Sequence, residues 1–329
     1  MKVLVTGASG HVGGNLVRAL VDAGRDVRVL VRDDRAAIDG LPVEIVRGEV
    51  GDADSVAKAM HGVDTLFHLA ARISILGDPG GAVTRTNVEG VRTVARAARE
   101  AGVRRMVHMS SCHAFDLDHT ADIDERAPRP KPTDPLYNQT KHAGEQALRE
   151  EIARGLSAVI VNPTGVIGPF DFKPSRMGRF FLALARGHLP SLVDGGFDFV
   201  DVRDLVQTTL AAETRGRVGE NYLAGGRWVR VREVADIAAK ACGVTAPKLS
   251  APMWLARIGA PVMDGFGRVT GKEPLYTSES LHALRGGKID STKAKTELGH
   301  SPRPLTETIR DIYDWFARTN MLPTRKSGW

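Results

Sequence analysis

Cysteine is scarce in this chain of 329 residues. Cys112 and Cys242 are too few for a disulfide framework, and neither stands in metal-ligand spacing with another cysteine or a histidine. A reducing compartment and a site without a metal are the expectations. No run approaches the eighteen or so apolar residues that a membrane helix needs. The opening Met1-Lys2-Val3 passes straight into a short apolar strand, without the pattern of a secretory signal. A cytoplasmic protein with no membrane span is therefore expected. Internal repeats and low-complexity segments are also missing. The formal charge is +6, but the basic residues are scattered, mostly arginine, and not interleaved with aromatics, so nucleic acid is not an expected partner.

With 42% hydrophobic and 26% charged residues, the chain can bury a substantial core as one elaborated domain or as two. Residues 2–6 form a β-branched apolar run followed at once by Gly7, Ser9, Gly10, His11, Val12 and Gly13, then by an amphipathic helical pattern through Leu16, Val17, Leu20 and Val21. Strand, glycine turn and helix in this order are the context of a dinucleotide fingerprint. Gly7 permits the tight turn, Gly10 lets backbone approach a pyrophosphate, and Gly13 lets the helix pack closely on the sheet. A second strand over 27–31 ends at Arg32, which can pair with a 2′-phosphate, and Arg35 is a further candidate contact. NADP is thus the preferred cofactor, with NAD as the alternative. The other reading of Arg32 is a solvated turn residue beside Asp33 and Asp34, which would repel a phosphate.

Strand and helix continue to alternate. Strands are expected at 43–46, 64–69, 103–109 and 158–161, with a helix from about Asp54 and a long one from about Val83 that turns Val88, Val91 and Val94 inward until Gly102. This alternation predicts a parallel sheet covered on both faces. Ser110 and Ser111 fall at the carboxyl end of the fifth strand, the edge where open α/β sheets bind ligands. After a proline-rich loop over 112–135 comes Tyr137-Asn138-Gln139-Thr140-Lys141. Residues four apart on a helix share a face and lie roughly 6 Å apart along the axis. A phenol and an ammonium so placed can transfer protons, because the cation stabilises the phenolate and lowers a pKa that is ordinarily about 10.

Beyond residue 170 the pattern shifts. A helix over 180–185, two short strands within 190–202, a helix from Asp204 and a last sheet strand at 221–223 are expected. Apolar residues at helical spacing (Trp254, Leu255, Ile258, Val262, Met263, Phe266) read as a pocket wall or core helix. Asp290 caps a helix over 291–298 that Gly299 ends, and a final amphipathic helix covers 305–316. Cys112 and His113 follow Ser111 directly and read as a packing cysteine and a pocket-lining histidine. Asn87 reads as a structural residue that orients backbone.

With the three glycines, Ser111, Tyr137 and Lys141 in hand, the chain resembles an extended short-chain dehydrogenase/reductase of the NAD-dependent epimerase/dehydratase family, in its dihydroflavonol-reductase-like branch. The stretches 68–71, 87–90, 162–169 and 290–299 extend the resemblance over nearly the whole chain. It implies a Rossmann-type, doubly wound parallel α/β sheet over residues 1–169, with a returning helix and strand at about 204–225. The smaller substrate-binding region would take 170–203 and 226–329. Tyr137 would be the acid/base at the carbinol oxygen, Ser111 would bind that oxygen, and Lys141 would hold the nicotinamide ribose. Leu69, Ala70 and Ala71 would lie under the cofactor, Pro163 and Val166 would border the nicotinamide, and Glu49 and Val50 the adenine.

The expected activity is NADP-dependent reduction of a carbonyl on a fairly apolar small molecule, in a pocket that includes His113, Phe170 and Phe197. Nucleotide-sugar members commonly carry an arginine where Phe197 stands. An NAD-dependent nucleotide-sugar epimerase/dehydratase is the alternative, with Arg176 or Arg179 reaching the diphosphate, and a non-catalytic nucleotide sensor is the third reading. A homodimer is left open.

Overall fold

In the computed structural model, the described residues are 1–73, 77–118, 122–256, 258, 281, 284 and 287–322. The chain begins with strand β1 (Lys2–Thr6), helix α1 (His11–Asp22) and strands β2 (Asp26–Val31) and β3 (Glu44–Arg47). Next come α2 (Ala53–Met60), β4 (Thr65–His68) and the short α3 (Ala82–Thr84), which runs through a π-turn (Arg85–Glu89) into α4 (Gly90–Glu100). Strand β5 (Arg105–Met109), α5 (Leu136–Ala153) and strands β6 (Ala158–Pro163) and β7 (Gly165–Ile167) follow. The later part holds α6 (Arg176–Ala185), β8 (Leu192–Val193), β9 (Gly196–Asp201), α7 (Val202–Arg215), β10 (Asn221–Ala224), β11 (Arg227–Arg230), α8 (Val231–Cys242), β12 (Ser250–Ala251) and α9 (Leu305–Arg318).

Seven strands form one parallel sheet in the order β10-β6-β5-β4-β1-β2-β3. Their runs are apolar because both faces are covered, as parallel sheets require. One face packs against Leu16, Val17 and Leu20 of α1 and Leu205 and Val206 of α7. The opposite face packs against Val56 and Met60 of α2, Val91 and Val94 of α4, and Leu148 of α5. The strand order reverses between β1 and β4, so their carboxyl ends flank the crevice that this architecture offers to a ligand. A second core gathers Phe180 and Phe181 of α6, Val234 and Ala238 of α8, and Ile309 and Phe316 of α9, beside the small sheet β11-β9-β7.

Two expectations are corrected. The long helix is not uniformly α-helical: its π-turn admits one extra residue, so Asn87 is buried where Val88 was expected. Asn87 uses that position to hold the backbone of Arg72, accepting from its N–H at 2.8 Å and donating to its carbonyl at 2.9 Å. Trp254, Leu255 and Ile258 do not fill a core; they are 64%, 49% and 67% exposed, while Val262, Met263 and Phe266 lie outside the described residues. Among the described residues, no helix is long and apolar enough to cross a membrane.

The start of α7 is fastened to the final helix by charge. Asp201, almost fully buried, accepts from the Arg203 N–H at 2.8 Å, the Arg203 guanidinium at 2.7 Å and the Thr308 hydroxyl at 2.7 Å. Burial alone would raise its pKa, but the Arg203 hydrogen bonds outweigh it and the carboxyl is held below its ordinary value. A depressed folded value means that the stabilisation is complete above the unfolded-state pKa of about 4 and is lost as pH falls through the folded value. Replacing Asp201 with Asn is expected to cost about 3–5 kcal/mol at pH 7, as when one partner of a buried pair is removed. Urea unfolding should show this difference shrinking below pH 4.

Candidate active site

The cavity is built where β1 ends. Gly7 has φ +75°, and a Cβ there would lie 2.6 Å from the Ala70 nitrogen. A Cβ on Gly13 would lie 2.1 Å from the Gly7 carbonyl oxygen, so only glycine lets α1 start this close to the strand. Gly10 is the N-cap of α1; no side chain caps it and no acidic residue stands in the first turn, so the helix N-terminus is open to a phosphate. Gly7, Ser9, Gly10, His11, Val12 and Gly13 line a cavity of about 600 Å³ together with Leu69, Ala71, Pro163 and Val166. These surroundings suit a dinucleotide, which needs backbone close to its phosphates.

Other expected cofactor residues stand apart from the cavity wall. Ala70 closes over Gly7 from behind, its N–H 3.4 Å from the Thr6 hydroxyl. Val50 is buried against Gly90, Glu49 is exposed beside it, and Arg32 is exposed just past the end of β2. The segment that carries the expected pocket residue Phe170 joins the two ends of the cavity through contacts that the sequence did not show. His11 Nε2 lies 3.0 Å from the Pro169 carbonyl, and the Asn15 amide donates to the same oxygen at 3.3 Å. From there the chain turns through Phe170, whose φ is +60°, and reaches Lys173, whose ammonium lies 3.6 Å from Asp34.

Ser111, Tyr137 and Lys141 meet in the middle of the cavity. Ser111 sits just past the end of β5 in extended conformation, and its Oγ accepts the His113 N–H at 3.2 Å. Pro135 precedes α5, which places Tyr137 in the first turn and Lys141 one turn later. Ser111 lies near enough to the Tyr137 hydroxyl to pull its pKa down. The buried Lys141 ammonium donates to the Met109 carbonyl at 3.1 Å. Burial brings Lys141 down to about 8, with Glu145 opposing the fall. A lowered tyrosine pKa is the expectation from the nearby Lys141, but the shift runs the other way. Burial pushes Tyr137 up to about 12 against the pull of Ser111, so the phenol keeps its proton at neutral pH.

Most of the remaining wall is aromatic and aliphatic, with Asp171, Lys173 and Ser175 among its polar members. His113 meets the Tyr137 ring edge-on at 5.8 Å and stacks on Phe197 at 5.9 Å. Phe197 packs in turn against Phe199. Phe170 and Phe172 enclose Trp315 at 4.6 and 4.8 Å and carry the Arg18 guanidinium over their rings. Met177 and Phe180 from α6 and Val231 and Val234 from α8 complete the apolar side, with Arg176 as a cation on the wall. The sequence marked a helix over 180–185 but none over Val231–Cys242, and it could not assign either apolar face to a cavity. Cys112 is fully buried and its thiol is pushed up to about 12, which removes it as a nucleophile.

This sheet, with a glycine cradle at one end of its crevice and serine, tyrosine and lysine at the centre, defines an NAD(P)-dependent enzyme of the extended short-chain dehydrogenase/reductase type. The chain belongs to the NAD dependent epimerase/dehydratase family, whose match covers residues 3–225. It is similar to sterol demethylase protein B of Methylococcus capsulatus, at 37% identity over 98% of this chain and 100% of that one. It is also similar to a putative dihydroflavonol 4-reductase of a Synechocystis species, at 31% identity over 98% and 96%. The fold superimposes on a nucleoside-diphosphate-sugar epimerase from Pseudomonas aeruginosa with a TM-score of 0.79, at 27% identity over 97% of this chain and 98% of that one.

Proposed function

We propose that this enzyme reduces the carbonyl group of a fairly apolar aldehyde or ketone to an alcohol with NADPH. The observation that carries this reading is the aromatic wall: Phe170, Phe172, Phe180, Phe197 and Phe199 face the same cavity as Ser111 and Tyr137. Such a lining suits a ring system or long chain with one polar atom to be positioned. Two relatives are named for sterol and dihydroflavonol chemistry, and both names denote fused-ring compounds.

In this reading the substrate oxygen sits between Ser111 and Tyr137. Both hydroxyls donate to the negative charge that develops there, and Tyr137 delivers its proton. A nicotinamide bound between Pro163, Val166 and the glycine cradle would supply the hydride. Lys141 holds a positive charge beneath the tyrosine and is placed to bind the nicotinamide ribose. Gly7, Ser9, Gly10, His11, Val12 and Gly13 would hold the pyrophosphate, with Leu69, Ala70 and Ala71 beside it and Glu49 and Val50 towards the adenine. His113, Phe170 and Phe197 contact the substrate. For NADP, Arg32 supplies the 2′-phosphate contact, and the pairing of Asp34 with Lys173 supports it by neutralising a carboxylate that would otherwise repel the phosphate.

The second reading is a nucleotide-sugar epimerase/dehydratase, which the presence of Arg176 on the cavity wall favours. Calorimetry separates the two. UDP and dTDP are expected to bind no tighter than millimolar, because a buried diphosphate facing Phe197 lacks a bidentate partner. Micromolar binding of either would make the sugar-nucleotide reading the better one.

The acid has its own test. Tyr137→Phe should reduce turnover by about 10²–10⁴ while cofactor affinity stays within about twofold, since the ring still packs and only the proton is gone. A variant that kept more than about a tenth of wild-type activity would assign the proton elsewhere.

Cofactor choice is tested at the end of β2. Arg32→Asp should move preference from NADPH towards NADH by roughly 1.5–3 kcal/mol, the worth of a charged hydrogen bond. Equal use of both cofactors by the wild type would remove Arg32 from the argument.

A further inference from the structure

Glu145 is completely buried, and the mechanism above gives it no task. It stands one helical turn beyond Lys141 on α5, a spacing that leaves the two side chains roughly 5–6 Å apart at Cβ. Its carboxylate accepts from the Ser110 hydroxyl at 2.6 Å, from Asn162 Nδ2 at 2.7 Å, from Asn221 Nδ2 at 3.0 Å and from the Arg129 guanidinium at 3.3 Å. Those partners sit at or beyond the ends of β5, β6 and β10 and on the loop before α5. Asn162 also donates to the Ser111 carbonyl at 2.9 Å, so the residue before the catalytic serine and the serine's own backbone are both tied to this carboxylate. Burying an ion costs several kcal/mol unless its lone pairs are satisfied, and here four donors converge on it.

We infer that Glu145 is a positioning residue that ties Ser111 and Lys141 into one unit, fixing the first through Ser110 and Asn162 and holding the charge of the second. The surroundings of Lys141 leave this task to Glu145. From β4 and β5, Lys141 is faced by His68 and His108, stacked 5.2 Å apart; burial takes His68 down to about 3 and His108 well below its ordinary value, so both are neutral. From α5 itself come Tyr137, a phenol that burial keeps neutral, and Glu145, whose charge opposes the lowering of Lys141 by burial. Arg129 donates to the carboxylate itself, and His142 is influenced by the charges of Arg129, Glu145 and Arg149.

The test reads Lys141 in the cofactor-free protein, by competitive labelling of lysines with a small amine-reactive anhydride across pH and mass spectrometry of the Lys141 peptide. Glu145→Gln keeps the size and removes the charge; the labelling midpoint should fall by about one pH unit or more, as expected when an adjacent opposite charge is lost. Glu145→Asp, which keeps the charge, should restore most of the shift. In NADPH oxidation, Glu145→Gln should lower kcat by roughly 10- to 100-fold with KM within about threefold, the pattern of a misplaced catalytic group with intact substrate binding. A folded Glu145→Gln with an unmoved midpoint and wild-type kcat overturns the inference. Where that variant does not fold, Glu145→Asp is read alone: its shorter side chain keeps the charge but cannot reach Ser110 and Asn162 as glutamate does, so kcat should fall about tenfold or more with the midpoint near that of wild type, and a wild-type kcat overturns the inference. Only the kcat arm rests on the carbonyl-reductase reading. If the wild type oxidises NADPH with no carbonyl, that reading fails while the labelling arm still decides the role of Glu145.

Discussion

The close approach of α1 to the end of β1 is the constraint on which the rest of the site depends. A single added carbon at residue 13 would meet the Gly7 carbonyl at 2.1 Å, so helix and turn can sit together only with glycine at both positions. That contact sets where the open helix end points. It also places His11 and Asn15, whose side chains reach the Pro169 carbonyl and hold the segment that carries Phe170 and Phe172. The apolar wall around Ser111 is thus located in part from the phosphate-binding end of the crevice. Cofactor cradle and substrate wall are mechanically one object, although more than 150 residues separate them in sequence.

Burial, not pairing, dominates the electrostatics at the centre. It drives Tyr137 up and Lys141 down, and both shifts favour the neutral form, as a low-dielectric site demands. A tyrosine that holds its proton is prepared to donate it, which is the state carbonyl reduction needs at the start of turnover. The opposite direction would require phenolate and would have to be assisted by charge. Glu145, a buried carboxylate one turn further along the same helix, acts on Lys141 and spends its remaining lone pairs on the strand ends that frame Ser111.

What could be read from sequence follows the range of the interactions. The glycine turn and the Tyr137/Lys141 spacing are local, and their geometry follows from one strand end and one helical turn. Strand alternation predicts the parallel sheet because apolar runs are legible without knowing their neighbours. The π-turn at Arg85–Glu89 was not legible, since one inserted residue moves Asn87 inward without altering composition. The sign of the Tyr137 shift was missed for a related reason: spacing shows that a cation is near but not how much water is lost. Trp254, Leu255 and Ile258 have the period of a buried helix, yet period says nothing about whether a partner surface exists. The walls from α6 and α8 depend on contacts across the whole chain, and no local pattern carries them.

The segment from Pro169 to Lys173 also bears on cofactor choice. Read along the sequence, Asp33 and Asp34 beside Arg32 argue against a phosphate, because two carboxylates outweigh one guanidinium. In three dimensions Lys173 stands 3.6 Å from Asp34, and the local balance is no longer negative. The pair is solvent-exposed, so its contribution to folding stability is small. Its effect on an incoming phosphate is of another kind, since the ammonium can exchange a carboxylate for a stronger anion without moving far. In the NADP reading, a residue beyond β6 would thus share in a specificity proposed for the end of β2, and it reaches that place because the same segment is pinned to α1.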